Sequence, residues 1–128
     1  DLVTQEMIND FANATNDHQW IHVDVDRAKV SLPQGKTIAH GFLTLSLASG
    51  FFFELLSIED ATNSINYGLN KARFLVAVKS GSRIRMSGKI ANVEEMPSGG
   101  VKLFMECTIE LEGEEKPACI AELISVIY

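Results

Sequence analysis

An acidic and a basic side chain that could share one water molecule stand five residues apart, at Asp17 and His22. When a carboxylate and an imidazole converge on one water, they can remove a proton from it and deliver a proton elsewhere. His40 and Gly41 follow eighteen and nineteen residues after His22, at the start of a long apolar segment. A backbone N–H at a helix N-terminus stabilises negative charge that develops beside it. Asp17, His22 and Gly41 are therefore the residue types that could activate a water and stabilise an oxyanion.

Two main helices are predicted around these residues. Thr4 can cap the first helix, which carries an apolar stripe. Residues 13–22 are polar and irregular, and they are followed by a short helical turn or loop and by a turn at residues 33–35. The second helix runs from about residue 40 to residue 56 and is apolar on nearly all faces. We therefore expect the second helix to be buried on most sides.

Strands are predicted in the second half of the chain, where apolar and polar residues begin to alternate. The predicted strands comprise residues 69–79, 82–93, 101–111 and 118–128, with turns between them. Alternation with a period of two is typical of antiparallel strands with one buried face, whereas the last strand is apolar on both faces and should be central. The pattern predicts an α+β fold in which one antiparallel sheet wraps around the long helix. A second subunit is the expected cover for the outer face of this sheet, which would give a homodimer.

The site motif and the start of the sheet resemble the MaoC-like dehydratases, a branch of the hotdog fold. This family includes the (R)-specific enoyl-CoA hydratases and the nodulation-protein-N-like proteins. The matching segments are Asp17 with His22, the following Val23-Asp24 and Ala28, then Ile38-Ala39-His40-Gly41, and Asn66-Tyr67-Gly68 through Arg73-Phe74. The resemblance extends over nearly the whole chain and implies one hotdog domain over residues 1–128.

The activity that the resemblance implies is the interconversion of trans-2-enoyl thioesters and (3R)-hydroxyacyl thioesters by a hydratase or dehydratase. No metal, redox cofactor or covalent intermediate is expected. Coenzyme A is the expected acyl carrier, and acyl carrier protein is the alternative. In the family, the residues that match Asp17 and His22 bind and activate the water, and the amide that matches Gly41 forms the oxyanion hole. Ser49, eight residues after Gly41, matches a serine that helps to hold the water.

The motif also departs from that of the hydratases, which usually have glycine before the aspartate and Asn-Pro between the aspartate and the histidine. Asn16, Gln19 and Trp20 occupy these positions here, as in the nodulation-protein-N-like subgroup. Glutamine can donate and accept hydrogen bonds as asparagine does. We expect Gln19, Trp20 and His40 to contact the substrate, with Trp20 shaping the acyl pocket and His40 also supporting the geometry of the loop.

Each residue of the motif also has a plainer explanation. Asp17 could be a solvated or capping carboxylate, His22 a hydrogen-bonded loop histidine, and Gly41 only the tight entry into a helix. His18 stands four residues before His22, but the segment does not read as a helix, so no metal pair is expected. Two other functions are an acyl-thioesterase that uses Glu54 of the long helix and a non-catalytic acyl-thioester-binding subunit. The presence of both Asp17 and His22 favours hydration over these two.

Composition excludes several classes of partner. The chain has 128 residues and a net charge of −6, which argues against an electrostatic surface for nucleic acid. Arg83, Arg85 and Lys89 form a small cationic set that is either a solvated strand face or an attraction for a phosphate group.

The two cysteines, Cys107 and Cys119, are too few for a disulfide framework and read as small buried hydrophobes. No leader or membrane segment is expected, and we expect a cytoplasmic location.

Overall fold

The elements of the fold follow one another as helices first and strands second. The computed structural model describes all of Asp1–Tyr128. In chain order the elements are β1 (Leu2–Val3), α1 (Gln5–Thr15), α2 (Trp20–Val23), α3 (Val25–Ser31), a 3-10 turn (Pro33–Gly35), α4 (Gly41–Leu55), β2 (Ser64–Phe74), β3 (Ser82–Glu95), β4 (Val101–Leu111) and β5 (Cys119–Ile127). The predicted cap of the first helix is confirmed, because the Thr4 hydroxyl accepts a hydrogen bond from the Met7 N–H at 3.1 Å.

The five strands form one antiparallel sheet in the order β1-β3-β4-β5-β2. The alternation predicted for β4 is confirmed, because Leu103, Met105, Cys107, Ile109 and Leu111 are buried and face α4. β5 lies between β4 and β2, as its apolar character on both faces predicts. The sheet therefore curls around one side of α4 and buries a single apolar core between them.

The prediction that α4 is buried on most sides is wrong for the single chain. Leu43, Ala48 and Phe52 are buried, but Phe42 is 68% exposed and Phe53 is 65% exposed. The sheet covers one side of the helix only, and the helices that precede it do not cover the other side. An apolar face of α4 is therefore left at the surface of the chain.

The predicted boundaries of the first long strand are also wrong. β2 begins at Ser64, five residues earlier than predicted, and ends at Phe74 rather than at residue 79. Beyond Phe74 the chain leaves β5 and joins the segment before α4, where Ala39 N–H donates to the Val78 carbonyl at 2.7 Å. Two register shifts also interrupt the pairing of β2 with β5, which obscures its alternation in the sequence.

The cationic set, the two cysteines and the helices can each be compared with their predictions. Arg83 and Arg85 lie near Glu112 and Glu110, with N···O distances of 3.9 and 2.5 Å, so the cationic set is largely paired and reads as a solvated strand face. Cys107 and Cys119 are free and buried, as predicted. None of the helices combines the length and the apolar character that crossing a bilayer requires.

Candidate active site

His22 is held in one orientation by the main chain of a neighbouring segment. It lies in α2 and is buried, with 7% of the residue exposed. Its Nδ1 lies 2.7 Å from the carbonyl oxygen of Ile38, and the Ile38 N–H donates to the Ile21 carbonyl at 3.0 Å. A carbonyl oxygen can only accept a hydrogen bond, so Nδ1 of His22 carries the hydrogen and Nε2 keeps its lone pair. This is the tautomer that a base acting through Nε2 requires.

Asp17 lies in the loop between α1 and α2, and its side chain is exposed. α1 ends at Thr15, and the next residue, Asn16, has a left-handed φ of 60° that turns the chain toward α2. One carboxylate oxygen of Asp17 is 3.4 Å from the Gln19 N–H, a long hydrogen bond that leaves the group available to other donors. This carboxylate, a ring nitrogen of His22 and a ring nitrogen of His40 lie within 4.8 Å of one another. Since two hydrogen bonds of about 2.8 Å at a tetrahedral angle span about 4.6 Å, one water fits between the carboxylate and the imidazole.

His40 contacts both Asp17 and His22, and these two contacts were not predicted from the sequence. Its expected contact with the substrate stays a prediction. It is 3% exposed, and its Nε2 lies 3.0 Å from the main-chain carbonyl oxygen of Asp17. Its ring stacks on the ring of His22, with centroids 3.8 Å apart and planes inclined by 20°. The ring of Phe11 in α1 packs against it with centroids 4.9 Å apart. The loop that carries Asp17 is thereby fixed against the segment that begins α4.

Asp17, His22 and His40 are of types that also bind metal ions, so their geometry must be tested for that role. The lone pairs of an imidazole lie in its ring plane. Two planes inclined by only 20°, with ring centroids 3.8 Å apart, do not meet within bonding distance of one ion. The stacked pair therefore does not fit a site in which both rings bind the same metal.

Gly41 begins α4 at the position that the resemblance implies for an oxyanion hole. No side chain caps this helix, and the first N–H groups of a helix have no acceptor within it, so the N–H of Gly41 is open. A Cβ atom at this position would lie 3.0 Å from the ring of Phe74, the last residue of β2. A Cβ atom here would therefore require the Phe74 ring to move by a few tenths of an ångström. An uncapped helix N-terminus favours negative charge beside it.

Ser49 lies on α4 eight residues after Gly41, about 12 Å along the helix axis. It lines a cavity of about 350 Å³ between α4 and the strands β2 and β5, with Asn66, Leu69 and Leu123 among the other lining residues. None of the residues that line this cavity belongs to the cluster of Asp17, His22 and His40. Its role in holding the water stays a prediction.

Gln19 and Trp20 flank the start of α2 and lie close to Asp17 in the chain. Gln19 is exposed and its carbonyl accepts the His22 N–H at 3.0 Å. Trp20 is half-buried, and the guanidinium carbon of Arg27 lies 3.9 Å from the centroid of its ring. Arg27 therefore covers one face of the indole, and the expected contacts of Gln19 and Trp20 with substrate stay predictions.

Glu54, the carboxylate that a thioesterase would use, lies away from these residues. It is exposed in the last turn of α4 and lines a cavity of about 100 Å³ beside Leu2 and Met7. It is not part of the cluster that contains Asp17 and His22. The structure therefore provides no histidine partner for Glu54.

Gln5 supports the site but was not predicted from the sequence. Its Nε2 donates to the main-chain carbonyl of His22 at 2.8 Å, and its Oε1 accepts a hydrogen bond from the Thr37 hydroxyl. It therefore joins α1 to both segments that carry the candidate catalytic residues. In a sequence, a polar residue in the first turn of a helix cannot be told from a solvated one, so this role depends on contacts in space.

Comparisons with known proteins agree with the motif. Residues 1–106 match the family described as MaoC like domain. The chain is 48% identical over 122 residues to 3-hydroxyacyl-thioester dehydratase Z of Mycobacterium tuberculosis (strain ATCC 25618 / H37Rv), covering 95% of this chain and 80% of that protein. It is 44% identical over 126 residues to Nodulation protein N of Rhizobium leguminosarum bv. viciae, covering 98% of this chain and 78% of that protein.

A solved structure agrees with the fold. The (R)-hydratase from A. caviae involved in PHA biosynthesis superimposes with a TM-score of 0.79, covering 98% of this chain and 88% of that chain. Its sequence identity of 21% supports the fold alone. The predicted hotdog fold and the predicted resemblance are both confirmed. With the family match over residues 1–106 and two relatives above 40% identity, the chain belongs to the MaoC-like domain family.

Proposed function

We propose that this protein is an (R)-specific hydratase or dehydratase that interconverts trans-2-enoyl thioesters and (3R)-hydroxyacyl thioesters. The observation that carries the proposal is the approach of the Asp17 carboxylate to the imidazole of His22, at a separation that one water can bridge. The mycobacterial relative, named as a 3-hydroxyacyl-thioester dehydratase, supports the same reaction class. The name of that relative specifies only a thioester. We propose coenzyme A as the acyl carrier, with acyl carrier protein as the alternative.

The proposed reaction uses the free lone pair on Nε2 of His22. In the hydration direction, this nitrogen takes a proton from a water that also donates a hydrogen bond to Asp17, and the water oxygen bonds to C3 of the enoyl group. The electrons of the double bond move toward the thioester, whose oxygen accepts a hydrogen bond from the Gly41 N–H. The proton taken up by Nε2 of His22 then passes to C2, so the overall reaction adds one water to one double bond. Preorganised donors of this kind commonly supply a large part of the rate enhancement.

The domain is proposed to include all of residues 1–128, and its functional form is proposed to be a homodimer. β5 lies between β4 and β2, so a chain that ended at residue 106 would leave the sheet divided.

The exposed residues Phe42 and Phe53 lie on one face of α4, together with Ser49. That face flanks the edge strand β2, where backbone groups on one side have no partner strand. A second copy that covers both features would place the cavity lined by Ser49 near the interface. The cytoplasmic location stays a prediction.

The proposed function can be tested with crotonyl-CoA as substrate. Hydration removes the absorbance of the conjugated thioester, and the product can be identified with stereospecific 3-hydroxyacyl-CoA dehydrogenases. We expect loss of the absorbance and oxidation of the product by a 3R-specific enzyme only. Oxidation by a 3S-specific enzyme would contradict the proposed stereochemistry, and release of free CoA without hydration would support the thioesterase alternative instead.

A further inference from the structure

The two buried histidines of the site have opposite tautomers. Nδ1 of His22 donates to the carbonyl of Ile38, and Nε2 of His40 donates to the carbonyl of Asp17, because carbonyl oxygens accept and do not donate. The free lone pair is therefore on Nε2 in His22 and on Nδ1 in His40. Each ring donates to a main-chain carbonyl, but the lone pair is left on Nε2 in one ring and on Nδ1 in the other.

Nδ1 of His40, the nitrogen that keeps its lone pair, is buried and has no hydrogen-bond partner. A hydrogen placed on Nδ1 instead of on Nε2 would be a buried donor without an acceptor, which is costly. The groups that face His40 are the ring of His22 from α2, the main chain and the carboxylate of Asp17 from the loop, and the apolar ring of Phe11 from α1. The geometry therefore places the hydrogen of His40 on Nε2, where it bonds to the Asp17 carbonyl.

We propose that His40 is a positioning residue that acts on both proposed catalytic groups at once. Its Nε2–H holds the main chain of Asp17, and its ring, stacked on His22, keeps that imidazole from turning away from the bond to Ile38. This inference rests on the proposed function, because it assigns His40 to the geometry of that same site. It adds a positioning role to the expectation that His40 contacts the substrate.

Two substitutions separate the two contacts of His40. His40→Gln can keep a donor for the Asp17 carbonyl but removes the ring that stacks on His22, whereas His40→Phe keeps a ring but removes the donor. We expect each variant to lower kcat roughly 10- to 100-fold while KM changes less than about threefold, since small misplacements of catalytic groups act on turnover. His18→Gln is the matched control, because His18 is exposed in the same loop, and it should retain full turnover. Wild-type kcat in both His40 variants would overturn the proposal.

A second measurement does not depend on turnover, and its main observation is made on the wild-type protein. The chain has three histidines, so their ring nitrogens can be resolved by ¹⁵N NMR of the wild-type protein, with His18→Gln identifying the exposed one. We expect one buried ring protonated at Nδ1 only and the other at Nε2 only, and rapid tautomer exchange at His18. The His22 signal should keep its single tautomer in His40→Phe and show a mixture in His40→Gln. The same tautomer in both buried rings would overturn the assignment, whereas an inactive wild-type protein with the expected tautomers would contradict the proposed function alone.

Discussion

The ring of Phe74 lies against the main chain of Gly41, so close that a Cβ atom on residue 41 would be 3.0 Å from its nearest ring carbon. Phe74 ends the edge strand β2, and Gly41 begins α4, so this contact sets the distance between the sheet and the N-terminus of the helix. Gly41→Ala should therefore displace the proposed oxyanion N–H. We expect kcat for hydration to fall by about 10²–10³, as for loss of one oxyanion donor.

A double variant separates this steric effect from other consequences of the substitution. Phe74→Ala removes the ring that a Cβ at residue 41 would meet, so Gly41→Ala combined with Phe74→Ala should be more active than Gly41→Ala alone. Circular dichroism and thermal unfolding of all three variants provide the control for folding. If the double variant is as impaired as the product of the two single effects, the contact does not position the N–H.

The second prediction concerns Asp17 and His22, which we propose to share one water. Asp17→Asn keeps the shape of the side chain and removes its basicity, and His22→Ala removes the imidazole. Each change should lower turnover by about 10²–10⁴. Because the two groups act as a unit, the double variant should be far less impaired than the product of the two single effects. Hydration near the wild-type rate by either purified and folded variant would refute the assignment.

The third prediction concerns the exposed apolar face of α4. Sedimentation equilibrium at micromolar concentration should give twice the mass of the chain, since an apolar face beside an open strand edge favours association. Phe53→Glu places a charge on this face and should shift the equilibrium toward the monomer. Val30→Glu is the matched control, because Val30 is 86% exposed on α3 and lies outside the proposed interface. A wild-type protein that sediments only as a single chain would remove the support for a dimer.

The fourth prediction concerns the alkaline stability of the core. Burial, and then the neighbouring Cys119 thiol, raise the pKa of Cys107 from 9.0 to about 11. Because the folded state disfavours the thiolate, this contribution to stability is fully present below pH 9 and is lost as the pH rises toward 11. Wild-type protein should therefore lose on the order of 2 kcal/mol more unfolding free energy over this range than Cys107→Ala. Urea denaturation at several pH values measures the difference, and parallel pH profiles for the two proteins would contradict it.

The sequence predicts best where one local pattern decides the structure. The alternation of β4 is readable because it reflects the side on which the core lies. The apolar run of α4 predicts the helix but not which of its faces the core covers. The ends of β2 are not readable, since its two register shifts and its departure after Phe74 depend on β5 and on the segment before α4. Long-range pairing of this kind leaves no mark within a short window of sequence.

The same division applies to the candidate site. Asp17, His22 and Gly41 can be selected from residue type and spacing, and the structure brings Asp17 and His22 together. The support from Gln5 and the stacking of His40 could not be selected, because each depends on contacts between residues far apart in the chain. A motif thus identifies groups that could react, whereas the groups that orient them emerge only from packing.

The strand order carries a consequence for how the chain acquires its shape during synthesis. β2 leaves the ribosome before the other long strands, yet its one neighbour in the sheet is β5, which is made after β3 and β4. Through the translation of β3 and β4, the emerging β2 has both edges open, and an unpaired apolar strand is a site for aggregation. The residues that we propose to be catalytic are made earlier still. Their final arrangement also depends on the pairing of β2 with β5, because Phe74 of β2 packs on Gly41. Completion of β5 is therefore the step at which a nascent chain becomes able to form both the five-stranded sheet and an ordered active site.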